Sequence, residues 1–415
     1  MFEVAGRGES GAKDKSVEPE EGQEEYGLKP MNCPGHCLLF KHASGKLSLR
    51  DLPVRYADFA PLHRYELWCR LFNIFFALSL IMHSADTGNT RNEVSGSLSG
   101  LTRVRRFHQD DAHIFCRPSQ IAQEISSTLQ FIDTVYKVFR LPSYKLVLST
   151  RPEEGYIGSK EEWDRAEAAL KQSLSGSGQA WTINEGDGAF YGPKIDITLA
   201  DPDGKEHQTA TIQLDFQLPR RFGLNYHAPA PAAEQMGISS SDPEELKVSG
   251  LVTPVIIHRA ILGSLERFMA LLIEYYNGRW PFWISPRQAI VIPVAMTDEI
   301  VAYSKRIQER VSGLSQEHPG SRGDENRPLP MSRRTFSVDL DATSNSLSKK
   351  IKAAKSKHYN HIIVVGERNV RDETVSVDSA SSRGRIQGVE GKGEVKEMTV
   401  DEVYRKFVRM EDGYE

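Results

Sequence analysis

The stretch Arg103–Cys116, RVRRFHQDDAHIFC, decides how the rest of the chain is read. It opens basic, closes apolar, and carries Gln-Asp-Asp-Ala-His in between. In a strand alternate side chains share a face, so Gln109, Asp111 and His113 line one side while Asp110 and Ala112 face away. One face then offers an amide, a carboxylate and an imidazole, groups that can hold an ammonium beside a metal ion. By the same alternation Arg103 and Arg105 project on that face, where guanidinium forks suit phosphate oxygens. A solvated charge cluster is the plainer account, and the stretch by itself does not choose.

Two distant segments bear on the choice. Cys33 lies in MNCPGHC (31–37) and His258 in VIIHRAILGS (255–264). With His113 they make one thiolate and two imidazoles, a donor set that suits a catalytic zinc with three protein ligands and one open position. Cys33 to His113 spans 80 residues and His113 to His258 a further 145, gaps that no sequential zinc motif has. Taken singly, a buried Cys is usually a small hydrophobe and a lone His a satisfied core residue. Cys33-Pro-Gly-His36-Cys37 could also bind a metal on its own. His258 stands nine residues before Arg267, which on one helix would put them on opposite faces. Val255–Ile257 reads as a strand, so His258 is expected at a strand end, with a later helix presenting Arg267.

The chain has 415 residues, room for two or three domains. Net charge is −4, so an RNA partner would have to be met by local basic patches. Four cysteines without a secretory signal suggest a reducing compartment rather than a disulfide framework. The apolar run Leu71–Met82 is too short for a membrane span. Residues 1–25 are polar and aperiodic and read as a disordered leader. Residues 26–282 mix short β-branched runs, among them Leu146–Thr150, Ile195–Leu199 and Thr209–Phe216, with helical patterns over Gln120–Phe139 and Ile261–Tyr276. That predicts an α+β domain on an antiparallel sheet. After GRWPFWISP (278–286) strands alternate with helices, predicting an α/β domain over 285–415 with a largely parallel sheet. Thr399–Glu402 reads as a capping box. Lys349, Lys350, Lys352, Lys355 and Lys357 crowd the second helix of this domain, and residues 316–334 read as an inserted loop.

MNCPGH, RVRRFHQDDAHIFC, STRP, NEGDGAFYGPK, TIQLDF and IIHRAILGSLERF together resemble threonyl-tRNA synthetase, a class II aminoacyl-tRNA synthetase, from about Tyr26 to the C-terminus. The resemblance implies a class II catalytic fold followed by an anticodon-binding domain. It implies Zn2+ on Cys33, His113 and His258, and Mg2+ with ATP. Asp111 matches the residue that holds the amino and hydroxyl groups of threonine, with Gln109, Tyr191, Lys194 and Gln213 at further pocket positions. Arg64, with Arg91 across the split as its alternative, Arg103 and Arg267 match catalytic, nucleotide-binding arginines, and Glu93 and Gln208 other ATP-contacting positions. The partners implied are ATP, L-threonine, and the acceptor end and anticodon of tRNA(Thr). LSGLTRVRRFHQDD and NGRWPFWISP are most similar to the fungal mitochondrial branch, which points to the mitochondrial matrix, with the cytoplasm as the alternative.

The sequence departs from the family pattern in three places. The segment that builds the family's homodimer interface does not stand before MNCPGH, so the chain reads as N-terminally truncated. The second motif is split: removing 65–91 gives PLHRNEVSGSLSGLTRVRRF, so 65–91 reads as an insertion, by hypothesis a translated intron or a gene-model error. The third departure is the 316–334 loop. The alternative to a working ligase is therefore a catalytically impaired synthetase-like protein that still binds tRNA. A zinc hydrolase is disfavoured, because no general-base Glu accompanies the ligands as in HExxH.

Overall fold

The computed structural model describes residues 2–4, 26–63, 98–201, 204–314, 334–379 and 394–415. Arg64, Glu93, the 65–91 insertion, Leu71–Met82 and nearly all of the 316–334 loop lie outside the described residues. Among the described residues no helix is long and apolar enough to cross a membrane. The chain divides into two compact units, Met1–Leu271 and Leu272–Glu415.

In the first unit the strands are β1 (Phe2–Val4), β2 (Tyr26–Leu28), β3 (Val54–Asp58), β4 (Pro61–His63), β5 (Arg106–Cys116), β6 (Lys145–Ser149), β7 (Trp181–Asn184), β8 (Lys194–Ala200), β9 (Glu206–Asp215), β10 (Tyr226–Pro229), β11 (Ser249–Val252) and β12 (Val255–Ser264). Within the leader, Phe2–Val4 pairs antiparallel with Tyr26–Leu28, so these three residues are ordered rather than disordered. Eight strands form one sheet in the order β3-β5-β12-β9-β8-β6-β7, with β4 also on β5. All its pairs are antiparallel except β6 with β7, as the α+β reading predicts.

Both faces of the central strands are covered, which is why β5 and β12 lack a simple polar alternation. On one face lies α1 (Cys33–Ser44), whose Phe40 stacks on Phe115 of β5 with ring centroids 4.6 Å apart. Truncating such a buried ring costs about 3–5 kcal/mol, and this contact fixes the helix that starts at Cys33. On α2 (Ile121–Val138) Ile121, Ile125, Leu129, Ile132 and Tyr136 are buried at helical spacing. The Tyr136 hydroxyl reaches Thr209 Oγ1 on β9 at 2.8 Å.

β12 departs from expectation. The helical pattern over Ile261–Tyr276 predicts a helix from Ile261, yet the strand runs to Ser264 and the helix, α3 here (Leu265–Tyr275), begins after it. His258 is therefore inside a strand rather than at its end. The cause is the opposite strand: Asp110 accepts the backbone N–H groups of Ile261 (2.8 Å) and Leu262 (3.0 Å), which holds these residues in a bulge of the sheet. Gly263 then turns the chain at φ +67°.

The second unit holds β13 (Ala289–Pro293), β14 (Val338–Leu340), β15 (His361–Val365), β16 (Thr374–Ser379) and β17 (Glu394–Thr399), in the order β14-β13-β15-β16-β17. β13 is parallel to both its neighbours, but β15, β16 and β17 run antiparallel, so the sheet is mixed rather than largely parallel. A six-residue helix and a turn separate β15 from β16, too little chain for a parallel crossover. β13 is apolar throughout because both its faces are covered. Val291 packs with Ile300 and Ile307 of α4 (Asp298–Val311), while Ile290 and Ile292 pack with Ala354 of α5 (Leu347–Ser356). The capping box opens the last helix, α6 (Val400–Asp412): Thr399 Oγ1 accepts from Glu402 N, and Thr399 N donates to Glu402 Oε2 at 2.8 Å. The lysine run is not one solvated face. Lys350 is buried and donates to the carbonyls of Pro293 and Asp341, and Lys355 pairs with Asp378.

Candidate metal centre and substrate site

One row of the large sheet gathers the predicted residues. Tyr56 on β3 stands opposite His113 on β5, His113 opposite His258 on β12, His258 opposite Gln213 on β9, and Gln213 opposite Lys194 on β8. Directly opposed residues of antiparallel strands point to the same face, with Cβ atoms about 4.5–5.5 Å apart. Two residues along, the same face carries Asp58, Asp111, Ala260, Thr211 and Asp196. The alternation predicted for Asp111 and His113 therefore holds, and Gln109 pairs with Ser264 beyond the bulge. It does not extend to Arg103 and Arg105. The strand starts at Arg106, a bend falls at Arg105, and Arg103 closes the short turn Gly100–Thr102.

Helix α1 brings the sulfur. Sγ of Cys33 lies 3.6 Å from Nδ1 of His258, and the ligand atoms of Cys33, His113 and His258 all fall within 4.8 Å of one another. Among the described residues this is the one group of three or more such side chains placed to hold a metal ion. His113 is fully buried, and its Nε2 has no hydrogen-bond partner. Its Nδ1 lies 2.7 Å from Nδ1 of His36. Nε2 of His258 lies 3.0 Å from Oδ2 of Asp215.

The two imidazoles sit in opposite electrostatic settings. Burial, helped by His258 and His36, holds the His113 imidazole well below its ordinary range, so it is neutral and its lone pair is available. Burial also acts to lower His258, but the Cys33 sulfur and the Asp215 carboxylate outweigh it and push the group up to about 10. One sulfur and two imidazole nitrogens converge where a buried nitrogen is otherwise orphaned. A Zn2+ ion fits these residues. Cys37 does not join them: burial pushes its thiol up to about 12, and it packs with Phe40, Phe115 and Ile256. Local chelation by Cys33 to Cys37 gives way to a site built across three elements.

The other expected residues surround this centre. Asp111 Oδ1 is 3.9 Å from His113 Nε2. Tyr191 donates its hydroxyl to Gln213 Oε1 at 2.6 Å, and its ring centroid lies 5.7 Å from that of His258. Gly192 makes this seat reachable, because a Cβ there would stand 1.8 Å from the carbonyl oxygen of Leu214. Lys194 pairs with Asp196 (3.0 Å) and Asp187 (3.2 Å). Burial acts to lower its pKa, but these carboxylates raise it, so it stays charged. Of the residues expected at the nucleotide, Arg267 donates from Nε to Thr102 O (2.9 Å) and from Nη1 to Gln208 O (3.2 Å). The Gln208 amide in turn donates to Asp196 and Thr211. Arg267, Gln208 and the Thr102–Arg103 turn are thus brought together.

Comparison with known proteins places the chain. The "tRNA synthetase class II core domain (G, H, P, S and T)" matches residues 16–71 and 85–276, and the "Anticodon binding domain" matches 288–410. The "Probable threonine--tRNA ligase, mitochondrial" of Schizosaccharomyces pombe is 44% identical over 402 residues, covering 97% of this chain and 73% of that protein. The chain belongs to the threonine--tRNA ligase family. The "Threonine--tRNA ligase, mitochondrial" of Saccharomyces cerevisiae is 38% identical over 430 residues, covering 100% of this chain and 79% of that relative. A solved structure titled the RNA binding domain of threonyl-tRNA synthetase from Cryptosporidium parvum superposes with TM-score 0.70 and 40% identity, covering 95% of this chain and 78% of that one. The family's fold, a class II catalytic core followed by an anticodon-binding domain, is the one described above. These relatives support the ligase reading and not the impaired alternative. The class II core match begins at residue 16, inside the polar leader, and skips 72–84, inside the 65–91 stretch.

Three contributors were missed by sequence reasoning: His36, Asp215 and Asp110. His36 and Asp215 carried a signal. The first stood in MNCPGHC as an alternative ligand, and the second shares strand alternation with Gln213. Asp110 acts on a bulge that no sequence pattern announces.

Proposed function

We propose that this member of the family activates L-threonine with ATP and Mg2+ and transfers it to tRNA(Thr), with Cys33, His113 and His258 holding a Zn2+ ion in the threonine pocket. The observation that carries the zinc assignment is that ligand atoms of Cys33, the fully buried His113 and His258 lie within 4.8 Å of one another, while Nε2 of His113 makes no hydrogen bond. When bound, Zn2+ supplies an open coordination position that the amino and hydroxyl groups of threonine can fill together. Valine lacks the hydroxyl, and sites built around a polar group reject such analogues by about 10⁴–10⁵ in favourable cases. Asp111 takes the substrate ammonium. Gln109, Tyr191, Gln213 and Lys194 frame the pocket.

The threonine carboxylate attacks the α-phosphorus of ATP, pyrophosphate leaves, and the terminal ribose hydroxyl of tRNA then displaces AMP from the adenylate. Arg64, Arg103 and Arg267 meet the charge that develops on the phosphates, with Glu93 and Gln208 at the nucleotide. The second unit binds the anticodon stem, where phosphate neutralisation by its lysines is the main affinity term. Lys350, being buried, is left out of that surface. The fungal mitochondrial relatives support action in the mitochondrial matrix. The 65–91 stretch is assigned to a translated intron, and its absence from the mature transcript would support that.

Threonine-dependent ATP–pyrophosphate exchange tests the reading. The chain is expected to exchange with threonine, not valine, and to carry one zinc. His113→Ala is expected to lose both the metal and the exchange. Normal exchange by a zinc-free His113→Ala chain refutes the metal's role.

A further inference from the structure

We propose that His36 and Asp215 are positioning residues that lock the two imidazoles of the cluster in opposite tautomers, His113 as Nδ1–H and His258 as Nε2–H. Nε2 of the first and Nδ1 of the second are then the nitrogens left for the metal. The proposal rests on the zinc reading above and adds two residues to it.

Each lock follows from what its partner can do. Asp215 is fully buried. Its Oδ1 accepts the backbone N–H groups of Gln217 (2.7 Å) and Leu218 (2.9 Å), which open the short helix Gln217–Phe222. Its Oδ2 is left for His258 Nε2 at 3.0 Å. A carboxylate only accepts, so Nε2 of His258 carries a hydrogen, and Nδ1, 3.6 Å from Cys33 Sγ, is the nitrogen left to bind a metal.

His113 works through the opposite nitrogen. Its Nδ1 meets Nδ1 of His36 at 2.7 Å, so one of the two donates. A hydrogen on His113 Nε2 would be a buried donor with no acceptor, which carries the full desolvation penalty of that group. Placed on Nδ1, the same hydrogen is accepted by His36. His36 comes from helix α1 and Asp215 from the end of β9, so the two locks are set by separate elements. Such partners of ligating histidines fix ring orientation and tautomer.

Asp215→Asn is the discriminating variant. Its carboxamide oxygen still accepts from Gln217 and Leu218, but its NH2 group now faces His258 Nε2. That donor requires a lone pair on Nε2 and moves the ring hydrogen to Nδ1, into the ligand position. The full chain is titrated with Zn2+ against a competing chelator and with Co2+, whose thiolate charge-transfer and ligand-field bands report the sulfur–nitrogen set. Asp215→Asn is expected to weaken Zn2+ binding roughly 10- to 100-fold and to lose the cobalt bands, with the urea midpoint kept. His36→Leu is expected to weaken binding likewise, and His36→Asn, which can present a carbonyl oxygen to His113 Nδ1–H, to restore it. Zinc binding by Asp215→Asn and His36→Leu as tight as that of the unsubstituted chain overturns the lock and leaves the zinc centre standing. If the unsubstituted chain binds neither metal, both readings fall. If Asp215→Asn fails to fold, the two His36 variants decide: equal affinities for Leu and Asn overturn the proposal.

Discussion

Gly263→Ala strikes the joint between the sheet and the helix that carries Arg267. At φ +67° the backbone of Gly263 is in the left-handed region, which costs a non-glycine residue roughly 1–2 kcal/mol. A Cβ there would also stand 2.1 Å from the carbonyl oxygen of Thr209 and 3.2 Å from its carbon. These are backbone atoms of the central strand β9 and cannot swing away as a side chain would. Relief by moving one strand is an overpacking strain of about 1–3 kcal/mol. The two terms together give a loss of about 2–5 kcal/mol, a large part of the roughly 5–15 kcal/mol that holds a domain folded. Urea unfolding of the substituted chain reads this as a lower midpoint at unchanged slope. The strain also has a direction. Gln208, whose carbonyl accepts from Arg267, is next to Thr209, so the shift displaces the arginine's anchor. The KM for ATP is expected to rise more than the KM for threonine. A stability change under about 0.5 kcal/mol, the range of harmless surface substitutions, together with an unaltered ATP KM, refutes the reasoning.

Further substitutions separate the other parts of the site. Cys37→Ala is expected to keep one zinc per chain by metal analysis, because that thiol sits in the apolar core; loss of the metal would restore local chelation by Cys33–Cys37. Arg267→Ala is expected to impair ATP use in pyrophosphate exchange with zinc still bound, and metal loss would count against its nucleotide role. The Asp110 carboxyl is pushed up to about 6 by burial, against the Leu262 and Ile261 N–H bonds and Arg259 that lower it. Its folded pKa thus exceeds its unfolded value of 3.8, so its contribution to stability is full below that value and lost as pH rises through about 6. The loss is about 3 kcal/mol. Relative to Asp110→Asn, the urea midpoint of the unsubstituted chain should fall between about pH 4 and 6; parallel curves would refute the assignment.

The site was more legible than the joints that support it. Strand alternation placed Asp111 and His113 on one face because their strand is regular, and the pairing register extends that face to His258, Gln213 and Lys194. The same logic overreached at Arg103 and Arg105, where a bend precedes the strand. Helical periodicity overreached at Ile261–Ser264, because a carboxylate on the neighbouring strand takes the amides that a helix would use. Periodicity reports local preference, and Asp110 is 151 residues away from Ile261. In the second unit the alternation of strand and helix was legible, but neither β17 nor the pairing direction was. Parallel pairing was inferred from alternation of strand and helix, whereas the short β15–β16 connection imposes antiparallel pairing. The lysine run illustrates the same limit, since only packing distinguishes Lys350 from its exposed neighbours.

The row from Tyr56 to Lys194 would also make the proposed metal cluster a proofreader of the sheet. A one-residue slip of β5 or β12 turns its histidine to the opposite face, so only their correct alignment assembles the three ligands. The strand bearing His113 and the strand bearing His258 must find each other across a sequence separation of 145 before any chelate exists. The unfolded chain therefore competes poorly for the ion, and nearly all the binding free energy acts on the native state. Chelator sensitivity of unfolding would then measure strand alignment at the centre of the domain as directly as it measures metal content.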